Sequence, residues 1–457
     1  MRTSWPLLLC VSLVAGCSGL IGGNGGTGES DGDAPGTDGV SCEGVCVGPS
    51  GLMRLTRDEY AHSVHAVFGP EAAVNPDQLP FDASAGPFDA NDATVTEPDV
   101  TDYNVAAWAI AGRLAPSLAT ACDAEGCVDH LLNTYGARLF RRPITEDDRD
   151  AYAELFAWSL DGDGLEASVE LMVATMLQSP DLIYRVERAD DGPEPTALDG
   201  LAIATRLSLF LWRQGPDETL LEAARVGELD TAEGIAAHAR RMLDDPRADR
   251  AIASFHRQWL AIDELDADPD LAAAMQHETE QLAVDVFREH EGRLEELFTL
   301  ATSDVDGPLA DHYGVSPGED VAVPGHVGIL THASVMSRYA SASYTRPVRR
   351  GDMLLSQVLC YDLGTPPPDA LEQAEEQSAE LPADMSDRDE LAAITGEGVC
   401  ASCHDIINPA GFVFEPFDEL GRYRTVDPDG NAVDASGAFD GFGDLDGAFD
   451  GPATFMP

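Results

Sequence analysis

Near the C-terminal end of the chain, Cys400-Ala401-Ser402-Cys403-His404 gathers two thiols and an imidazole. On a helix Cys400 and Cys403 stand at i and i+3 and His404 at i+4, so one face presents all three groups. Covalent c-type haem attachment needs this set: two thiols that reach the porphyrin vinyl groups and a histidine that ligates iron from the same side. Three other chemistries share the residues. Cys400 and Cys403 can close a small disulfide, a zinc clip can recruit Cys360 and His332, and a thioredoxin-like motif can cycle between thiol and disulfide. Zinc lacks a second CxxC or an HxxxH, and the redox motif lacks a βαβ setting, so haem attachment leads and the disulfide is its main competitor.

A second axial ligand is not legible. Met456 follows the motif, while His326, His332 and Met336 precede it, and each is equally readable as a core or tail residue. The Tyr344–Arg350 stretch (YTRPVRR) and the pair Arg422/Arg424 offer guanidinium groups for haem propionates. Neutralising neighbouring carboxylates is the reading placed slightly ahead. No Ser-His-Asp order, HExxH or phosphate loop is present, and no pair of carboxylates stands out among 82 acidic residues as a hydrolase would require. The catalytic residues, if there are any, are unknown.

The charge balance is extreme, with 82 acidic residues against 27 basic ones, every one of them Arg, for a formal net charge of −55. Such a chain repels nucleic acid and anionic lipid surfaces, and the acidity reads as adaptation to solvent and salt. At the N-terminus, Met1-Arg2, the apolar run Leu7–Val14 and Leu13-Val14-Ala15-Gly16-Cys17 have the order of a signal peptide ending in a lipobox. Cys17 is then the lipidated first residue of an exported protein held in the cell envelope, and Ser18 after it points to the outer membrane. No other segment has the roughly 18 apolar residues of a span. Export also frames Cys42/Cys46 and Cys122/Cys127 as local disulfides, with Cys360 left over.

These groups must be positioned by helices. Thr56 followed by Glu59 forms a capping box before Tyr60, Val64, Val67 and Phe68. Ile203, Leu207, Phe210 and Leu211 trace one helical face, Leu294, Leu297 and Phe298 another, and Thr145 precedes a run of acids suited to a helix start. Asp427, Asp429 and Asp434, like Asp444, Asp446 and Asp450, match fragments of calcium loops without the closing Glu of an EF-hand, and turn chemistry is preferred for both. The expected class is mainly α and multi-domain. The divisions are a signal peptide (1–17), a Gly/Ser/Asp-rich tether (18–50), helical domains at 51–125, 126–190 and 195–320, and a C-terminal domain at 325–457 that holds the CxxCH and an irregular Asp/Gly-rich tail. Within the last, 364–386 is a Pro- and Glu-rich loop.

Several stretches together resemble exported bacterial proteins built of successive domains of unknown function, abundant in planctomycetes and myxobacteria. They are RLTRDEYAHSVHAVFG (54–69), RLFRRPITEDDRDAYAELF (138–156), SPDLIYRVE (179–187), LAIATRLSLFLWRQGPDETLLEAARVGEL (201–229), LADHYGV (309–315), GILTHASVMS (328–337), TRPVRRGDMLLSQVLC (345–360) and CASCHDIINPAGFVFEPFDELGRYR (400–424). The resemblance implies a helical body with a C-terminal cytochrome c-like segment, in which Cys400, Cys403 and His404 match the haem motif. It implies no reaction and no named redox partner. It also implies a further helical segment after the Asp/Gly-rich stretch, where this chain ends at Pro457. The expectation is therefore a lipid-anchored haem c protein in electron transfer or an associated redox step. The alternative is a non-catalytic surface protein stabilised by a Cys400–Cys403 disulfide.

Overall fold

A computed structural model describes residues 52–90, 95–187, 197–342, 344–365, 374, 381, 386–428, 430–439, 442–443 and 446–456. The expected signal peptide, Cys17, the tether, Cys42/Cys46, most of the 364–386 loop, Asp429 and Asp444 lie outside these. The described chain is mainly α. Its strands pair only as four antiparallel two-stranded ribbons: β1 (Met53–Arg54) with β4 (Tyr184–Arg185), β2 (Ala83–Ala85) with β3 (Phe88–Ala90), β5 (Thr302–Val305) with β6 (Gly318–Ala322), and β7 (Ser436–Phe439) with β8 (Gly447–Asp450). Among the described residues no helix is long and apolar enough to cross a membrane.

The principal helices begin with α1 (Arg57–Phe68), α2 (Glu97–Leu118), α3 (Glu146–Gly162) and α4 (Leu165–Leu177). Local chemistry sets their starts. Thr56 Oγ1 accepts the Glu59 N–H at 3.2 Å while Glu59 Oε2 accepts the Thr56 N–H at 2.9 Å, the expected reciprocal box. Thr145 and Asp148 do the same for α3. Asp148 also takes Arg142, which holds its carboxyl below the usual carboxylate range. Tyr60, Ile110, Leu114, Met172 and Leu177 form the first core, and the Tyr60 hydroxyl donates to Leu177 O at 2.8 Å. The wholly buried Arg141 donates to Asp181 O, Leu182 O and Tyr184 O, which ties the strand segment after α4 into this core.

Next come α5 (Gly200–Trp212), α6 (Ala232–Asp244), α7 (Asp249–Trp259) and α8 (Pro269–Glu289). The face of α5 differs from the sequence expectation. Ala204, Ser208, Leu211 and Trp212 are buried, whereas Phe210 is 77% exposed. Trp212 dominates because its indole N–H reaches Met242 O at 2.9 Å and the Arg247 guanidinium lies 3.5 Å from the centre of its ring. Phe210 points instead into an open apolar groove with Phe255, Phe287 and Leu294. Leu294 is likewise exposed, while its neighbour Leu297 is buried.

The C-terminal part uses α9 (Gly307–Tyr313), α10 (Ala333–Arg338), α11 (Pro347–Asp352), α12 (Asp387–Thr395) and α13 (Gly398–Phe412). Its core joins Leu282 and Val286 of α8 to Met336, Leu354, Phe414 and Phe417, and takes in Phe439 and Phe449 of the β7–β8 ribbon. In the Asp-rich tail three of the described carboxylates serve turns. Asp427 accepts the Asn431 N–H at 2.7 Å, Asp434 the Ser436 N–H at 2.9 Å, and Asp446 the Phe442 N–H at 2.6 Å. These partners follow turn chemistry, the preferred reading of the stretch.

Candidate functional site

Cys400, Cys403 and His404 lie on the first turns of α13, each half-buried, and both thiols are free. A hydrogen-bond relay sets the imidazole. His404 Nδ1 is 2.9 Å from Asn408 Oδ1, Asn408 Nδ2 donates to Thr395 Oγ1 at 2.7 Å, and Thr395 Oγ1 donates to Leu391 O at 2.6 Å. Because the threonine proton is committed to a carbonyl, the amide must donate to Thr395 and turn its oxygen to the histidine. In the neutral imidazole Nδ1 therefore carries the proton and Nε2 is the nitrogen left for a metal, the arrangement by which proteins orient a metal-bound histidine. Cys403 Sγ lies 3.7 Å from Leu363 O, and Cys403, Ile406 and Met456 each pack against the C-terminal core.

Two glycines fix where this helix sits. A Cβ added at Gly411 of α13 would meet Pro347 O at 1.9 Å, and one at Gly351 of α11 would meet Ile407 O at 2.2 Å. The two backbones thus cross in direct contact, which only residues without a side chain permit. Beneath the crossing Arg350 is fully buried and donates to Phe414 O, Phe417 O, Asp418 O and Met336 O at 2.8–3.0 Å. Burial pulls its pKa down to about 10, so it remains a cation at neutral pH, solvated by carbonyls. Arg422 binds Asp418 at 2.8 Å and Arg424 lies 3.7 Å from Glu415. These three arginines serve the protein's own carbonyls and carboxylates.

His326 and His332 are placed elsewhere. Together with Glu278 of α8 they form a cluster whose side chains are 2%, 1% and 0% exposed, respectively. Glu278 Oε1 is 3.7 Å from His326 Nδ1, and Glu278 Oε2 is 3.9 Å from His332 Nδ1. The Tyr313 hydroxyl donates to Glu278 Oε2 at 2.7 Å and accepts the Ala333 N–H at 3.1 Å. Burial raises the Glu278 pKa to about 8, lowers that of His326 to about 3 and drives that of His332 well below its ordinary value, so both imidazoles are neutral. The zinc clip of His332 with Cys360 does not form, since the histidine is sealed against Glu278 and Cys360 is exposed. Met336 is core. Among so many acids Glu278 carries one distinguishing sequence signal: it falls on the buried stripe Ala274, Glu278, Leu282 of α8, where an unpaired charge is costly.

The structure joins Cys122 to Cys127 in a disulfide. Cys17, Cys42 and Cys46 lie outside the described residues.

Three family models match in succession, each described as a protein of unknown function: DUF1595 over residues 127–187, DUF1592 over 198–315 and DUF1588 over 326–427. The chain carries three successive domains of unknown function. Glu278 falls in the second, and His326, His332 and the Cys400–His404 motif fall in the third. No curated protein and no solved structure matches the chain.

Proposed function

We propose that this is an exported c-type haem protein, tethered through Cys17 to the cell envelope on the outer-membrane side, that works in electron transfer or an associated redox step. The Cys400 and Cys403 thiols would add across two vinyl groups, each S–H giving a C–S and a C–H bond without change of oxidation state. His404 Nε2 would ligate the iron, and the bound group would supply one-electron chemistry. The observation that carries the reading is the Thr395–Asn408–His404 relay, which engages Nδ1 of a histidine on the helix that also bears both free thiols. A disulfide would need neither the histidine nor its relay.

The test is expression with haem-attachment machinery, export, denaturation and a pyridine haemochrome spectrum. Covalent haem at one per chain is expected, absent from Cys400→Ala/Cys403→Ala. Asn408→Ala should keep covalent haem but shift its midpoint potential in a redox titration, because the ligand loses its Nδ1 partner. Folded, exported protein without covalent haem refutes the reading, and a thiol count showing Cys400 and Cys403 oxidised together would then favour the structural alternative.

A further inference from the structure

The cluster of Glu278, His326 and His332 has no part in haem attachment, and two of its atoms are orphaned. Glu278 Oε1 and His326 Nδ1 are buried, face each other at 3.7 Å and have no hydrogen-bond partner. That gap is too long for a hydrogen bond, so a proton on the carboxyl cannot satisfy both atoms.

We propose that Glu278, His326 and His332 bind a divalent first-row transition ion through one carboxylate oxygen and two imidazole nitrogens. Their donor atoms all lie within 4.8 Å of one another. Around a tetrahedral ion with bonds of about 2.0–2.1 Å, ligand atoms stand about 3.3 Å apart, against 3.7 Å between Glu278 Oε1 and His326 Nδ1 and no more than 4.8 Å for the other pairs, so the site closes with side-chain movements on the order of 1 Å. The supporting groups are in place. Tyr313 holds Glu278 Oε2 at 2.7 Å; His332 Nδ1 is 3.1 Å from Thr279 Oγ1 and Nε2 is 3.4 Å from Ser303 Oγ, and in the tautomer with its proton on Nε2, directed at Ser303, Nδ1 is the ligand atom. Thr279 near Nδ1 has Met275 O and Ser334 Oγ as its other partners and does not need the imidazole. Two nitrogens and one oxygen suit zinc or iron(II) and not calcium or magnesium. Since Glu278 belongs to α8 and both histidines to the segment leading into α10, the ion would clamp the second matched domain to the third.

The test titrates the full chain, stripped with dipicolinate, with Co²⁺ at high salt, which screens loose cation binding to so acidic a surface. Expected is one Co²⁺ per chain that survives gel filtration, shows visible d–d absorption and yields to Zn²⁺. The Cys400→Ala/Cys403→Ala chain should do the same, with no thiolate charge-transfer band, so the proposal stands or falls independently of haem attachment. Glu278→Gln should weaken binding at least about 100-fold, and Tyr313→Phe, a milder change that serves if the first variant misfolds, roughly 10-fold. The inference is overturned if natively folded wild-type protein retains no Co²⁺, or if the folded variants bind it as wild type does.

Discussion

Gly411→Ala tests the crossing that positions the CxxCH helix. The new methyl would sit 1.9 Å from Pro347 O and 2.6 Å from Pro347 C, both backbone atoms that cannot rotate away. Restoring an ordinary contact demands that α11 and α13 separate by more than about 1 Å, the kind of overpacking that costs about 1–3 kcal/mol or more. Alanine's better helix propensity returns about 1 kcal/mol. Because the clash is with backbone, the upper figure of about 3 kcal/mol applies and the net loss is about 2 kcal/mol, and a similar value holds for Gly351→Ala, whose methyl meets Ile407 O at 2.2 Å. Both clashes are relieved by the same separation, so the double variant should lose clearly less than the two losses added together. Urea unfolding of the two single variants and the double variant measures this cycle. Single losses below about 0.5 kcal/mol, or strict additivity, would refute the direct backbone contact. In haem-loaded protein the single variants should also alter the Soret spectrum, because the moved helix carries Cys403 and His404.

Two other consequences follow. Asp148, held low chiefly by Arg142, contributes stability above the unfolded carboxylate pKa of about 3.9 and loses it as pH falls toward its lower folded value. Arg142→Ala should therefore lower the melting temperature at pH 7 and converge on wild type below that folded value, and an equal difference at both ends would contradict the linkage. Phe210→Ser should change stability by less than about 0.5 kcal/mol, since the ring is exposed, whereas Trp212→Ala should cost about 3–5 kcal/mol. Chemical denaturation separates the two, and comparable losses would put Phe210 back in the core.

Much of this protein was written locally. The boxes at Thr56 and Thr145 concern groups three residues apart, so sequence spacing alone specifies them. The helical class follows from the same short-range periodicity. So does the shared face of Cys400, Cys403 and His404, because i, i+3 and i+4 are neighbours on any α-helix. Asp427, Asp434 and Asp446 of the tail likewise serve turns through contacts two to four residues apart.

Tertiary structure decided what those elements face. Phe210 and Trp212 are both large and apolar, and only the packing of α5 against Met242 and Arg247 buried the second and exposed the first. Arg350 has the same charge as Arg422, yet carbonyls from beyond α13 and from α10 enclose it while Arg422 keeps a surface carboxylate. Glu278 meets His326 and His332 across some fifty residues of chain. No period or spacing encodes that meeting, because burial of three polar side chains at one point depends on how α8, α9 and the segment before α10 pack together. The sequence by itself thus determined the helices and the CxxCH face, while packing alone determined the buried carboxylate–imidazole cluster.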